Sequence, residues 1–508
     1  MRRPGVFVIN SVLTLFLHLR WWKRPTTIMD LNMDSLVHCT SHLNLQDISN
    51  MAMSCKYLRA VAYSDSVWQS LSRARWPSPI PYYNSQKSSV RDAYLARHTA
   101  LQQLKFEDPV IDNFLFNLKS HDHLLFLDNR IILSEGPVIR TLDIGINSGG
   151  YDSVLTLNDH RARITCMRLF SFSDTTVCRS GELRNSTVLV TSSCDHTIRL
   201  WSKGSCYRCY RGHSGGVTTL SDKLLGDSNE KIFASGGVDG TVRLWSSYPK
   251  GKRGQQALKG TLYGHEKPVI LMVVAGHRSS LLVSMSKDSK VRVWDAFTSS
   301  AARSSCCVGM TSVYGVPVGM KCDGSLLYVA TGSSVVVIDL RTMREVSTVM
   351  HKSQLHSFDV LPSRSLICTG ATGSAKLWDL RRSSETFKAE PLAELDGHEG
   401  PVKHIRMDAY KIVTGGPDDC YVKVWEVDTG AFTNSLNCAP DHPTPGFGCS
   451  AVAVRGCRIV TAGSNGGEGS LCYRDFSSAT QPVSSDNSIP ASKFWDSSSY
   501  SDTDESYD

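Results

Sequence analysis

KVRVWD, at residues 290–295, is the fullest copy of a short apolar strand that recurs six times along the chain. The other copies are TIRLW at 197–201, TVRLW at 241–245, VVVID at 335–339, AKLWD at 375–379 and VKVWE at 422–426. Their Trp positions, with Ile338 standing in for Trp in one copy, are separated by 44, 49, 44, 40 and 47 residues. A period in the forties that closes on Trp predicts a repeated unit of four antiparallel strands.

Such units cannot bury their apolar faces singly, so they stack into a closed ring, the β-propeller. Two further strand triplets, at 122–144 and 451–476, raise the expected number of blades from six to eight. Seven blades remain possible if 122–144 is only a spacer. The segment NFLFNL at 113–118 is predicted to be the outer strand of the last blade, which would close the ring and remove its exposed edges. We expect a mainly β fold, with the propeller at residues 113–476.

Four repeats carry a His, a Ser or Thr, an Asp and a Trp at similar spacing, and we predict that each set forms a hydrogen-bonded chain within its blade. A buried polar chain is favourable only when every member is paired, so the four residues should occur together. The sets are His160, Thr191, Asp195 and Trp201; His213, Ser235, Asp239 and Trp245; His265, Ser284, Asp288 and Trp294; and His398, Thr414, Asp418 and Trp425.

We interpret these sets as structural. A catalytic Ser needs an exposed hydroxyl on a strained turn beside an oxyanion hole. The chain has no Walker-type phosphate loop and no HExxH element. We therefore expect no intrinsic enzymatic activity and no cofactor.

Composition narrows the class of protein further. The net charge is +7, but the basic residues form no run and are not interleaved with aromatic residues, so nucleic acid is not an expected partner. No membrane span is expected, because no apolar stretch reaches about 20 residues. The 16 Cys are mostly scattered through strand-like segments, which indicates buried thiols in the cytoplasm, the nucleus or both. Cys206 and Cys209 form one CxxC without a second pair, so no metal site is predicted.

Residues 29–76 show apolar positions at helical spacing, broken by short polar turns, and predict three short helices. A bundle this small has too little core to be stable alone. Its residue pattern resembles the F-box motif, although the Leu-Pro that usually opens the motif is absent, with Leu31 and Met33 near that place. The matching positions are Leu36, Leu43, Leu45, Asp47, Ile48, Cys55, Lys56, Leu58, Asp65, Trp68 and Leu71.

The remaining segments frame these two modules. Residues 77–112 are expected to hold a loop and a linker helix, in which Ser89 and Asp92 stand at capping-box spacing. Residues 1–28 are an extension that begins with basic residues and an apolar run but has no small-residue cleavage site. Residues 477–508 are rich in Ser and Asp and are expected to be a disordered tail.

The order of F-box, linker helix and repeats resembles the F-box/WD-repeat family. The resemblance implies a substrate receptor of an SCF-type cullin-RING ubiquitin ligase, in which the F-box binds a Skp-type adaptor and the propeller binds a protein substrate. The adaptor-binding residues it implies are Leu31, Met33, Leu36, Leu43, Leu45, Ile48, Met51, Leu58, Trp68 and Leu71.

The substrate face is less defined by sequence. Positions just inside the first strands hold Thr165, Thr218, Ile270 and Lys403, and those just before the turn Asp hold Cys194, Val238, Lys287 and Pro417. Lys287 and Lys403 are the candidates for substrate contact, and two lysines do not form the arginine clamp that grips a phosphate in two-pronged fashion.

Two alternatives remain open. The sequence Trp-Asp-Leu-Arg at 378–381 resembles the WDxR feature of propellers that dock on the damaged-DNA-binding-type adaptor of another cullin ligase. The other alternative is a scaffold with no role in ubiquitin transfer. Binding of residues 30–76 to the Skp-type adaptor distinguishes the SCF-type receptor hypothesis from these two alternatives.

Overall fold

The structure is a computed structural model, and the chain divides into two compact units between His98 and Thr99. It describes residues 28, 31–40, 42–75, 89–105, 109–116, 123–127, 129–144, 154–171, 187–202, 204–226, 231–247, 257–297, 306–382, 390–439, 447–465, 469–479 and 493–494. The predictions for residues 1–27, for the loop at 77–88 and for most of the tail lie outside the described residues.

The first unit is helical. Its helices are α1 (Met33–Thr40), α2 (Leu45–Ser54), α3 (Lys56–Ala62) and α4 (Asp65–Arg75), and α5 (Val90–Gln103) begins in this unit and ends beyond its boundary at His98. Four helices, not the predicted three, lie between residues 31 and 75. Cys55 separates α2 from α3, because its extended backbone ends one helix while its Sγ accepts the Leu58 N–H of the next, at 3.4 Å. Ser89 caps α5 as predicted, since its Oγ accepts the Asp92 N–H at 3.2 Å.

The second unit consists of eight antiparallel sheets, which we number as blades in chain order. The first strand, β1 (Val110–Phe116), belongs to blade 8. Blade 1 is β2 (His123–Leu127), β3 (Arg130–Glu135), β4 (Val138–Asp143) and β5 (Val154–Leu157); blade 2 is β6 (Ile164–Ser171), β7 (Thr187–Ser193), β8 (Thr197–Ser202) and β9 (Ser205–Arg211); blade 3 is β10 (Val217–Leu220), β11 (Ile232–Gly237), β12 (Val242–Ser246) and β13 (Leu258–Leu262); blade 4 is β14 (Val269–Val274), β15 (Leu281–Ser286), β16 (Lys290–Asp295) and β17 (Cys307–Ser312).

The other four blades follow the same plan. Blade 5 is β18 (Pro317–Asp323), β19 (Leu326–Thr331), β20 (Ser334–Asp339) and β21 (Arg344–Met350); blade 6 is β22 (Ser357–Leu361), β23 (Leu366–Gly370), β24 (Thr372–Asp379) and β25 (Ala393–Pro401), with the short β33 (Lys493–Phe494) on its outer edge; blade 7 is β26 (His404–Met407), β27 (Lys411–Gly415), β28 (Tyr421–Glu426) and β29 (Phe432–Asn437); blade 8 is β30 (Gly448–Arg455), β31 (Arg458–Ser464), β32 (Gly469–Asp475) and β1.

The ring is closed by β1, which pairs along its full length with β32 from the far end of the chain, Val110 opposite Asp475 and Phe116 opposite Gly469. A buried apolar cluster lies at every interface between successive blades. The eighth of these clusters joins Leu124, Ile131 and Leu133 of blade 1 to Val460 and Leu471 of blade 8. The prediction of eight blades is confirmed, and so is the outer-strand role of 113–116, the described part of the predicted segment, in a strand that begins at Val110.

Connections alternate between the two ends of the ring. In each blade, the first strand in the order given above is the inner strand and the fourth is the outer strand. The connections from the outer strand of one blade to the inner strand of the next lie at one end of the ring, together with the turns from second to third strand. We call this end the upper face. The inner-to-second and third-to-outer turns share the other end, the lower face. The prediction of buried thiols is only partly correct, because five of the fifteen described Cys are buried, Cys166, Cys368, Cys438, Cys449 and Cys472.

Candidate functional site

Each predicted set of four residues joins the upper face of a blade to its interior. In blade 3, Trp245 Nε1 donates to Ser235 Oγ at 2.8 Å, and Ser235 Oγ lies 2.8 Å from His213 Nε2. His213 Nδ1 lies 2.9 Å from Asp239 Oδ2. Every member is paired if the imidazole is neutral and carries its proton on Nδ1. Blades 2 and 4 repeat this geometry with His160 and His265.

The fourth set corrects the sequence prediction at one position. In blade 7, His398 Nδ1 lies 2.7 Å from Asp419 Oδ2, whereas the predicted Asp418 is exposed. The step from Asp to Trp along the third strand is six residues in all four blades, because that strand is regular. The turn before it is one residue longer in blade 7, so counting forward from Thr414 gave the wrong Asp.

The remaining blades lack a complete set. Blade 5 has no His in the connection that leads into it, residues 313–316, and Ile338 stands where blade 4 has Trp294. Blade 6 keeps the bond from Trp378 Nε1 to Thr369 Oγ1, at 2.8 Å. His351 lies against Trp378 but bonds Ser353 through Nδ1, and its buried Nε2 has no hydrogen-bond partner among the described residues. Sequence reasoning missed His351, because its blade has no turn Asp to complete the pattern.

The structure places both predicted substrate residues on the upper face but does not bring them together. Lys287 lies exposed in the second-to-third turn of blade 4, and Lys403 lies exposed just before the inner strand of blade 7. Thr165 is not available for binding, because its Oγ1 donates to the Val217 carbonyl of the next blade at 2.5 Å. Thr218 makes the same kind of inter-blade bond to the Val269 carbonyl.

The ten predicted adaptor-binding residues divide into two groups. Leu36, Ile48, Leu58, Trp68 and Leu71 are at least nine-tenths buried in the helical unit, so they stabilise it and are not available on its surface. Leu31, Leu43, Leu45 and Met51 are half-buried and Met33 is exposed. Met53, Tyr57 and Tyr63 are exposed apolar residues that the motif did not indicate.

A family model described as "WD domain, G-beta repeat" matches residues 151–202, 204–246, 256–295 and 389–426. These stretches end at the third strands of blades 2, 3, 4 and 7, which are the four blades with a complete set. The ring is a WD40-repeat β-propeller. The matches lie within residues 151–426, so they leave the helical unit unassigned.

Curated proteins are similar to this chain over about half of its length. Kinesin-like protein KIF21A of Homo sapiens is 24% identical over 270 residues, which cover 52% of this chain and 14% of the relative. Striatin-3 of Bos taurus is 30% identical over 273 residues, covering 48% and 33%. Ribosome biogenesis protein YTM1 of Meyerozyma guilliermondii is 24% identical over 321 residues, covering 54% and 66%. The chain spans less than two thirds of each relative, and the three names describe different processes.

The WD40 propeller contains one sequence that matches the GxSxG pattern of hydrolases, Gly-His-Ser-Gly-Gly at 212–216. In hydrolases this pattern forms a turn from a strand into a helix. Here it leads into strand β10, and the Ser214 N–H donates to Asp239 Oδ2 at 3.1 Å. His213 is committed to Ser235 and Asp239, so it is not placed to activate Ser214. The Gly-His-Ser-Gly-Gly sequence therefore forms part of the connection into β10 and is not evidence of a catalytic serine.

Two observations bear on metals and membranes. Among the described residues, no group of three or more His, Cys, Asp or Glu is placed to hold a metal ion. A bulge in β9 brings Cys206 and Cys209 to the same side, near Arg199, but burial raises the pKa of the Cys206 thiol and so disfavours the thiolate that a metal requires. None of the helices in the described part of the chain has the length and apolar character to cross a membrane.

Acid is expected to destabilise the propeller. Burial lowers the pKa of His160, His213 and His265 from 6.5, so below about pH 6.5 the unfolded chain binds more protons than the folded one. Burial alone would raise the pKa of Asp239, but hydrogen bonds from Thr241 and His213 hold it at about 2. Stability therefore falls as the pH drops below about 6.5, and further below about 4. The melting temperature measured between pH 8 and pH 3 checks this.

A His213→Asn variant is the control for that profile. It should melt at a lower temperature at pH 8, because the bonded set is broken, and lose less between pH 7 and pH 5, because one titrating group is gone. A melting temperature of the unmodified chain that stays constant from pH 7 to pH 4 contradicts the prediction.

Proposed function

We propose that this protein is the non-catalytic substrate-recognition subunit of an SCF-type ubiquitin ligase. The helical unit would bind a Skp-type adaptor, and the WD40 propeller would bind the protein substrate, in the cytoplasm or the nucleus. The observation that carries the proposal is the helical unit itself, whose residue order resembles an F-box and whose Leu36, Ile48 and Trp68 form its core.

The surface of the helical unit supports a binding role. Met53 is 73% exposed and Met33 is 44% exposed, and both lie on short helices of a unit with a small core. Exposed large apolar side chains on a small unit mark a surface that a partner covers. Tyr57 adds to this surface with its ring, while its hydroxyl donates to the Leu31 carbonyl at 3.1 Å.

The proposed mechanism needs no catalytic residue in this chain. Holding a substrate lysine near a charged conjugating enzyme converts a bimolecular transfer into an effectively intramolecular one. The WD40 propeller contributes a rigid, closed surface, and the reaction takes place on other subunits.

Replacing Met33 and Met53 together by Asp is expected to lower the amount of Skp-type adaptor that co-purifies with the full chain by about tenfold or more, because two charges would be buried in an apolar interface. Co-expression followed by pull-down of the tagged chain measures this. The matched control is Met310→Asp, at a residue 51% exposed on the propeller, which should leave adaptor recovery unchanged. Equal recovery of the adaptor with the unmodified chain, the double variant and the control contradicts the proposal.

A second candidate function is favoured by a specific feature of the lower face. Blades 5 and 6 both end their third strands in Asp-Leu-Arg, at 339–341 and 379–381. In each, the Arg Nε and Nη2 donate to both carboxylate oxygens of the Asp, at 3.2 and 3.1 Å for Arg341 and at 3.0 and 2.9 Å for Arg381. The Arg341 and Arg381 side chains are 68% and 50% exposed. Paired arginines on neighbouring blades fit docking on the damaged-DNA-binding-type adaptor of another cullin ligase.

A further inference from the structure

Blade 5 combines the loss of its His-Ser/Thr-Asp-Trp set with unusual apolar exposure on the upper face. Tyr314 is 84% exposed and Val316 is 65% exposed, in the connection from blade 4 to blade 5. Met350, at the start of the connection to blade 6, is 66% exposed. Val316 stands where blade 4 has Pro268, since its carbonyl accepts the Gly332 N–H as the Pro268 carbonyl accepts the Lys287 N–H. The upper end of blade 5 thus presents exposed apolar side chains in a connection that lacks the buried His of blades 2, 3, 4 and 7.

Hydrogen bonds join the loops that carry these residues into one surface. Thr331 Oγ1 donates to the Tyr314 carbonyl at 2.9 Å, and the Gly332 N–H donates to the Val316 carbonyl at 2.9 Å. The His351 N–H, next to Met350, donates to the Ser333 carbonyl at 2.7 Å. All three bonds meet at the second-to-third turn of blade 5. The backbone under Tyr314, Val316 and Met350 is therefore fixed while their side chains face solvent.

The same bonding extends the surface to blade 4. The Val313 N–H donates to the Ser289 carbonyl at 2.9 Å, two residues from the exposed Lys287. Tyr263, in the connection that leads into blade 4, is 62% exposed. An apolar surface of several large side chains held by rigid loops is typical of a protein-binding site.

The charges around this surface indicate what it binds. Lys267, Lys287 and Lys352 are exposed in the loops of blades 4 to 6. The carboxylates of the same loops are engaged, since Glu266 bonds Lys290 at 2.9 Å and Asp288 bonds His265 at 2.9 Å. No Arg occurs at 263–268, 286–290, 313–317, 331–334 or 350–356, so the planar two-pronged group suited to phosphate is absent. Lysine point charges beside aromatic and aliphatic side chains complement carboxylates.

We propose that the upper face of blade 5, with the adjoining loops of blades 4 and 6, binds an extended protein segment that carries Asp or Glu beside aromatic or large aliphatic side chains. This rests on the proposed function, because it names the substrate class that the WD40 propeller selects. The large side chains of the segment cover Tyr314, Val316 and Met350, and its carboxylates face Lys267, Lys287 and Lys352.

A phage-displayed library of random dodecapeptides, selected on the purified full chain, tests the proposal. The expected result is enrichment of sequences that combine Asp or Glu with aromatic residues or Leu. Synthetic peptides of the enriched consensus, labelled with fluorescein and followed by anisotropy, should bind a Tyr314→Ser/Val316→Ser/Lys287→Glu variant about tenfold or more weakly.

The matched control is a Tyr207→Ser/Lys223→Glu variant, which changes a 51% exposed Tyr on the outer strand of blade 2 and an exposed Lys on the lower face. It should bind the peptides like the unmodified chain, and thermal melting should show both variants folded. Enriched peptides without acidic residues, or peptides that bind the triple variant equally well, overturn the proposal. Because peptide binding needs no adaptor, its failure is distinguishable from failure of the chain to bind the Skp-type adaptor.

Discussion

Replacing Arg364 by Leu is expected to lower the free energy of unfolding by about 3–5 kcal/mol, because it removes one partner of a buried ion pair. Arg364 Nη1 donates to Asp428 Oδ1 at 2.5 Å, across the interface between blades 6 and 7. The two side chains are 2% and 0% exposed. The variant leaves the Asp428 carboxylate in the interface without its guanidinium, and water cannot replace it there.

The double variant Arg364→Leu/Asp428→Leu distinguishes this cause from simple loss of packing. Removing both charges should recover most of the lost stability, since a buried ion pair offers little over apolar side chains of similar size. Arg364 Nε and Nη2 already lack partners among the described residues, which makes the pair costly to bury. Urea unfolding of the single and double variants measures the coupling. If the loss of unfolding free energy in the double variant equals the sum of the losses in the two single variants, this account is contradicted.

Trp425→Ala is the second replacement with a large expected effect, about 3–5 kcal/mol. Trp425 is 0% exposed, it donates from Nε1 to Thr414 Oγ1 at 2.8 Å, and its ring lies edge-on to Phe432 at 5.3 Å. The variant loses apolar contact at the interface between blades 6 and 7 and removes one hydrogen bond from the set in blade 7. Because the ring folds as a closed unit, the loss should appear in the main unfolding transition.

Tyr207→Ala is the control for Trp425→Ala, because its side chain is 51% exposed on an outer strand. It should change the free energy of unfolding by no more than about 0.5 kcal/mol. Urea midpoints of the two variants, measured side by side, give the comparison. A midpoint for Trp425→Ala within the range of the control would show that the bonded set in blade 7 is dispensable.

The propeller could be predicted from sequence because its signals are local and repeated. The strand pattern ending in Trp294 recurs at nearly constant spacing, and each set of four residues lies within one repeat. The prediction of Asp418 was wrong because it relied on the length of the turn after Thr414, which differs in blade 7. Spacing along a regular strand is fixed, as for Asp419 and Trp425, whereas the length of a turn varies.

Contacts between blades could not be predicted, because they join residues distant in sequence without a fixed step. The ion pair of Arg364 with Asp428 and the bond from Thr165 to the Val217 carbonyl are of this kind. The apolar surface around Tyr314 was missed because exposure depends on neighbouring loops. The sign that could have found it is the connection at 313–316, which holds Val313, Tyr314 and Val316 and has no His, whereas four other repeats have a buried His there.

The helical unit could be predicted in outline only. Its apolar spacing indicated helices, but spacing alone does not separate core residues such as Ile48 from surface residues such as Met33. Met53 is 73% exposed although it lies on the same helix as Ile48, which is 2% exposed. Which apolar residues face a partner depends on how four short helices pack, and that packing is not encoded in the motif.

Titration of the purified full chain with each of the two adaptors, followed by calorimetry, tests the proposed function most directly. We predict binding to the Skp-type adaptor at one to one, lost in the Met33→Asp/Met53→Asp variant and kept in an Arg341→Ala/Arg381→Ala variant. Binding to the damaged-DNA-binding-type adaptor alone, lost in the arginine variant, would contradict the proposal and favour the second ligase. Binding to neither adaptor would also contradict it and leave a scaffold role for the propeller.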